Sequence, residues 1–492
     1  MIARRELFKL GGLAVLAGGA AGVVSSCGGA PQPSAASAGR ADYTVRIGTG
    51  LVELAPDTIV STTTYNGQFP GPLLRLNEGR PVVVDVFNDT DTPEQLHWHG
   101  QRVPAEVDGA AEEGTPFIPA HGMRRESFTP GPAGFRFYHT HLTPGSDLTK
   151  GQYNGQVGPV YIEPKTNPGA YDQEVFLVLK EFEPALSTAG DMASDFLAGE
   201  PDPALKQMGE KAMADSLAKG MPHGYEVGYS AFSVNGRKLG QGEPIKVQPG
   251  QRVLFHVVNG SATEIRSLAL PGHTFQVVAL DGNPVPRPAE VPVLWIGTAE
   301  RVSALVEMNN PGVWVLGDLS DDDRGNGMGT VVEYAGRTGP PRWVAPSKFT
   351  WDYRAFAQPG APAPAPVDHV IDLLVEKRNA AEAGFNVWTL NGTPFSMNSD
   401  QPVIDIEADK RYRLRFRNAT DDVHPVHLHR HTFEVTNIAG TPTSGLLKDV
   451  VMLGGYQTLE ADFTADQPGL SLLHCHQQLH MDYGFMTLLR RP

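Results

Sequence analysis

Apolar and polar positions alternate along much of the chain. Apolar residues recur at Val82, Val84 and Val86 and again at Tyr412, Leu414 and Phe416, each with the two-residue period of a half-buried strand. Both runs end in asparagine, and both belong to a unit that occurs three times. Asn66-Gly67, Asn235-Gly236 and Asn391-Gly392 each open a copy. A strand follows, then a turn near Gly79, Gly250 or Asp409, then an alternating strand ending in Asn, then a loop with histidine at His97, His273 or His427. The Asn-Gly positions lie 169 and 156 residues apart, a domain-sized period rather than that of a solenoid. Helical signal is scarce. The best stretch runs from Asp202 to Lys219, with Asp202 as N-cap, Pro203 in the first turn and Gly220 as terminator. It lies inside the second copy and is predicted to cap one end of that domain.

The expected fold class is therefore all-β, three Greek-key β-sandwiches in a row: residues 42–165, 166–338 with a helical insertion at about 190–222, and 339–492. The Pro-Ala stretch Gln358–Pro366 marks the remaining linker. Length agrees, since 492 residues correspond to about three domains of ~150 residues. The 54 Gly and 41 Pro fit many turns and short strands. A formal charge of −15 with no basic run excludes nucleic acid as a partner.

The first 27 residues read as an address rather than structure. Arg4-Arg5, followed by Leu7-Phe8-Lys9 and an apolar run from Leu10 to Val24, resembles a twin-arginine export signal. That run falls short of the ~20 residues a spanning helix needs. Val24-Ser25-Ser26-Cys27 resembles a lipobox, in which Cys27 becomes the lipidated first residue of an exported, periplasmic or cell-surface protein. Residues 28–41 are a flexible tether by composition. Cys475 is the only other cysteine, so no internal disulfide is expected, and metal ligation is the natural reason for a lone thiol in an oxidising compartment.

Ten of the sixteen histidines fall into four clusters: His97-Trp98-His99, His139-Thr140-His141, His424 with His427 and His429, and His474-Cys475-His476 with His480. On a strand, H-x-H places two imidazoles on one face, about 6–7 Å apart. Imidazole suits several transition metals, while one thiolate with two imidazoles suits blue copper. A set of histidine centres plus one Cys-His₂ centre resembles no ordinary zinc arrangement.

At these residues the sequence resembles the multicopper oxidase family, in its three-domain laccase-like branch, over nearly all of residues 42–492. The resemblance implies three cupredoxin-like domains and four coppers. His424, Cys475 and His480 would hold the mononuclear type 1 copper. His97 and His427 would hold type 2 copper, and His99, His139, His141, His429, His474 and His476 the type 3 pair. It further implies four one-electron oxidations of a small reductant (a phenol, an aromatic amine or Cu(I)) coupled to reduction of O2 to water, with electrons entering at an exposed edge of His480. Independently, a strand points Cys475 opposite to His474 and His476, so one tripeptide would join the two kinds of site.

Three departures from the family pattern stand out. Phe485 occupies the axial position, with Met486 expected to point away. Arg430 replaces a glycine before His431, which puts the local loop conformation in question. Met481 replaces a glutamate found in some relatives, so proton delivery is expected to rest on Asp108, with Asp482 nearby. Asp449 is expected as hydrogen-bond acceptor for His424. His273 and His431 read as structural, and His121, His223, His256 and His369 are given no role. Met192, Met208, Met213 and Met221 in the insertion read as packing, with Cu(I) binding the sharper alternative.

Changing Arg4 and Arg5 to lysine should trap precursor inside the cell, and Cys27→Ala should release unlipidated protein from the membrane. Fractionation and mass spectrometry of the N-terminus check both, and a soluble wild type without lipid would refute the anchor.

Overall fold

The computed structural model describes residues 39–165, 170–188, 195–221, 223–360, 365–396, 398–399 and 401–492. Arg4, Arg5, Cys27 and Met192 lie outside them.

Each repeat builds its own sheets. In the first, strands Tyr43–Ala55, Thr58–Tyr65, Val82–Asn88 and Met123–Phe128 form one sheet, and Leu74–Asn77, His97–His99, Gly134–His139 and Val157–Glu163 form the other. The third pairs a six-stranded sheet, which includes His369–Glu382, Arg411–Asn418 and Thr458–Thr464, with a five-stranded sheet of Val403–Asp405, His424–Leu428, Val450–Leu453, Gly469–Cys475 and Met486–Arg491. The second copy repeats the six-stranded order, and its other face is made of smaller sheets. In every copy the opening strand runs parallel to the alternating strand: Tyr43 faces Val84, Phe255 faces Val175 and His369 faces Tyr412.

The alternation has its physical cause in burial. Val82, Val84 and Val86 are buried with their neighbours turned outward, as are Tyr412, Leu414 and Phe416. The outward side chains of the latter strand, Arg411, Arg413 and Arg415, pair with Asp462 and Glu460 on the next strand. The matching strand Arg252–Asn259 is buried on both faces, because His256 on its outer face packs against Phe135 and Tyr161 of the first copy.

Two asparagines recur with the same bonds in each copy. Asn66, Asn235 and Asn391 sit at φ of 55, 52 and 52°, the left-handed region that Asn tolerates. Their Oδ1 atoms accept from the N–H of Arg46, Val178 and Leu374, tying the turn to the opening strand. At the end of each alternating strand, buried Asn88, Asn259 and Asn418 accept through Oδ1 from the N–H two residues on, at 2.9, 3.0 and 2.9 Å. Their Nδ2 atoms donate to two carbonyls or more; Asn418 reaches Asp422 and Gly454. One amide thus closes a loop that no ladder hydrogen bond could close.

The helix Pro203–Ala218 forms with Asp202 as N-cap, accepting from the N–H of Ala204 and Leu205. Its predicted seat on the second domain is corrected. It lies on the third copy, where Gly209 approaches Ala419 O and Tyr456, and Met213 Sδ meets Asn379. Leu205 is its one buried residue, so the helix is a polar cover held by few contacts.

Asn418→Ala should cost about 3 kcal/mol, since two buried carbonyls lose their donor and Thr420 loses its acceptor. Asn391→Ala should cost about 1 kcal/mol through left-handed strain. Calorimetry should rank the two in that order.

Candidate metal centres

His424 begins one strand of the five-stranded sheet, Cys475 ends the next, and His480 lies on the short helix Gln478–Asp482 that follows. Cys475 Sγ is 3.7 Å from His424 Nδ1 and 3.5 Å from His480 Nδ1, and the two Nδ1 atoms are 3.0 Å apart. All three residues are buried. The tautomer of His424 follows from the fold. Thr420 Oγ1 donates to Asn418 Oδ1 at 2.8 Å, so at 2.8 Å it accepts from His424 Nε2–H, leaving the Nδ1 lone pair facing the sulfur. The Phe485 ring stands 4.9 Å from that of His424, whereas Met486 packs apart with Phe395, Leu472 and Met481.

The other eight histidines converge at the seam between the first and third copies. Their ligand atoms form overlapping triplets within 4.8 Å: His97, His427 and His429; His97, His99 and His139; His141, His429 and His474. His476 joins through rings 5.0 Å from those of His99 and His139. Six of the eight rings have one nitrogen held by an acceptor outside the cluster. Nδ1–H of His97, His139, His427 and His474 donates to the carbonyls of Asp108, Thr140, Asp449 and Cys475. Nδ1–H of His429 donates to Asp108 Oδ2 at 2.8 Å. His99 is reversed, giving Nε2 to Asp449 at 3.2 Å and aiming Nδ1 inward. Inside, the Nε2 atoms of His97 and His427 and both nitrogens of His141 and His476 are buried without a hydrogen-bond partner. Burial holds His424 down at about 4, and pushes His99, His139, His427, His429, His474, His476 and His480 well below the usual imidazole range. Inward imidazole lone pairs with no donor to meet them fit transition-metal cations such as copper, zinc, iron or nickel.

Carboxylates frame this cavity. Burial would raise the Asp108 carboxyl, but His97 and Arg430 outweigh it and hold it below its ordinary value. Glu112 lies 3.6 Å from His141 Nδ1, and Glu113 lies 3.3 Å from His429 while accepting from Leu472 N–H at 2.6 Å. Neither glutamate was foreseen; the one signal was an acidic pair just beyond Asp108. Asp482 ends the helix, accepting from Gly145 N–H and Gln478 Nε2, and burial pushes it well above the usual range.

Two expectations are corrected. Asp449 does not serve His424. It bonds His99 and takes two donors from Arg301, both at 2.6 Å, and one from Arg136 at 3.2 Å. The strands carrying it turn it toward the eight-histidine cluster, and Thr420 fills the place beside His424. His480 has no exposed edge: it is 2% accessible beneath the Trp388 ring, whose centroid is 4.0 Å away. Arg430 adopts φ +62° in the glycine's place, and its guanidinium donates to the carbonyls of Val103, Pro468 and Leu470, offsetting the strain. His273 and His431 are structural, bonded to Pro271 O and Tyr334, and to His429 O.

Multicopper oxidase family models match residues 48–167, 206–334 and 365–492. The chain is 30% identical over 442 residues to the multicopper oxidase MmcO of Mycobacterium tuberculosis, spanning 88% of this chain and 83% of that one. It is 25% identical over 513 residues to Laccase-4 of Thanatephorus cucumeris, covering 90% and 88%. The fold matches the crystal structure of Fet3p, a multicopper oxidase that functions in iron import, with a TM-score of 0.73 at 20% identity, covering 91% of this chain and 90% of that one. With its buried Cys-His₂ site, its eight converging histidines and matches along all three repeats, this chain belongs to the multicopper oxidase family, copper-dependent oxidoreductases that use dioxygen as electron acceptor.

Proposed function

We propose that the chain is a laccase-like oxidase that takes single electrons from phenols or aromatic amines and passes them to dioxygen, four per water-forming turnover. His424, Cys475 and His480 would hold a type 1 copper. His97 and His427 would hold type 2 copper, and His99, His139, His141, His429, His474 and His476 a type 3 pair, four coppers in all. Copper in these sites supplies one-electron redox chemistry and dioxygen reduction. One observation carries the reading: the Cys475 sulfur faces His424 and His480, while its neighbours His474 and His476 face the other histidines. The tripeptide is then a covalent wire between electron uptake and oxygen reduction.

The chain's own groups do the remaining work. Phe485 offers no donor to the mononuclear site, which favours Cu(I) and a high potential. Asp108 orients His429 and His97 and takes up protons beside the cluster, and Asp482 holds a proton near the loop after His141. Electrons reach His480 across Trp388, which donates from Nε1 to Asp422 at 3.2 Å. Export through the twin-arginine route and anchorage by lipid on Cys27 complete the reading, carried by sequence alone.

A second reading, a cuprous oxidase, is favoured by a specific observation. Met213, Thr420, Asp421 and Lys377 line one small pocket beneath the helix, beside the loop leading to His424. A thioether and a carboxylate there could receive Cu(I).

Cys475→Ser should abolish the intense blue absorption and steady-state turnover together while the eight-histidine cluster keeps its copper, read by metal analysis and EPR. A fully loaded wild type without that absorption would sink the assignment.

Oxygen uptake with 2,6-dimethoxyphenol, an aromatic amine and Cu(I), in wild type and Met213→Leu, separates the two readings. The laccase-like reading expects phenol and amine turnover that Met213→Leu leaves within about twofold. Cu(I) turnover that dominates and falls tenfold or more in the variant would establish the cuprous oxidase instead.

A further inference from the structure

Between the tripeptide His474-Cys475-His476 and His480 stands Gln478, fully buried. Its backbone N–H donates to Ala262 O of the second copy at 2.8 Å. Its Oε1 accepts from Gln152 N–H at 2.9 Å, and its Nε2 donates to Leu142 O at 3.1 Å and to Asp482 Oδ1 at 2.7 Å. Leu142 and Gln152 bracket the first-copy loop that leaves His139 and His141, and Gly145 of that loop donates to Asp482 Oδ2 at 2.9 Å. The helix bearing His480 is therefore fastened at both ends to the loop leaving two histidines of the cluster.

The bonds close into a ring. Ala262 N–H donates to Glu181 Oε1 at 2.6 Å, Glu181 pairs with Lys180 at 3.4 Å, and Lys180 Nζ donates to Gln152 O at 2.5 Å. Gln152 returns to Gln478, so one buried circuit runs through all three copies. Arg266 neutralises Glu181 from the far side at 3.4 Å. The circuit demands two donors and an acceptor from one neutral side chain, which an amide supplies and neither a carboxylate nor a hydrocarbon can.

We propose that Gln478 is a positioning residue that sets the reduction potential of the mononuclear site by locking the His480 helix to the loop after His141. The proposal rests on the assignment of His424, Cys475 and His480 to that copper. His480 Nδ1 lies in contact with the Cys475 sulfur, so a small displacement of the helix alters ligand geometry, to which such potentials are sensitive.

The test uses copper-loaded enzyme: wild type, Gln478→Met, Gln478→Glu and Glu181→Gln, the last breaking the circuit away from the copper. Redox titration of the blue absorption should move by at least the ~59 mV that equals a tenfold change for one electron in both Gln478 variants, with an altered copper hyperfine splitting in EPR. Glu181→Gln should give a smaller shift of the same sign. Wild-type potential and EPR spectrum in Gln478→Met and Gln478→Glu would overturn the proposal, even if both melt earlier, because a merely structural residue lowers the melting temperature and leaves the potential alone. If the Gln478 variants yield no folded protein, Glu181→Gln decides by the same readouts. A copper-loaded wild type without blue absorption would instead defeat the underlying assignment.

Discussion

Imidazole nitrogens stripped of water, with their lone pairs aimed at one another, are the constraint around which this molecule is built. An unpaired buried polar atom costs about 1–3 kcal/mol, and His97, His141, His427 and His476 contribute several within one cavity. For His427 and His476, burial among like groups opposes protonation as a relief. Bound cations are the physical remedy, and until they arrive the scaffold must hold the rings apart from any better partner. It does so from outside, by fixing the outer nitrogen of ring after ring on a carbonyl or carboxylate. Tautomer and orientation are thereby set before metal binds.

The second copy supplies no histidine to the cluster, yet it is more than a spacer. Arg301 reaches from it to Asp449, which orients His99, while Asp281 and Glu300 clasp Lys448, next to Asp449 in sequence. Gly100, at φ +74°, allows this approach, since a Cβ there would lie 2.6 Å from Arg301 and 2.7 Å from Asp449. On the other side Glu181 and Ala262 hold the His480 helix. Charged residues of the copy that contributes no histidine to either group thus brace both of them.

The group of His424, Cys475 and His480 lies under cover rather than at an open rim. Trp388 lies over His480, and the sparsely anchored helix Pro203–Ala218 lies over the loop that leads to His424. Neither His480 nor Trp388 therefore presents an open edge to solvent.

By itself the sequence determined the strands, the threefold repeat, the helix with its caps and the histidine and cysteine positions, because these depend on local rules. Alternation follows from one buried face, Asn-Gly from a left-handed turn, and the opposed directions of Cys475 and its neighbours from the pleat. Phe485 beside His424 and Met486 turned away follow from the same pleat. What tertiary structure decided lies between segments distant in the chain. Asp449 could not be assigned to His99 rather than His424 without knowing which face its strand presents across the seam. The burial of His480 depends on Trp388, more than ninety positions away, and the helix sits on the third copy because Gly209 fits against Ala419. Buried ion pairs such as Arg301 with Asp449 leave no periodic trace in sequence, since each partner looks like any surface charge until the fold removes the water around it.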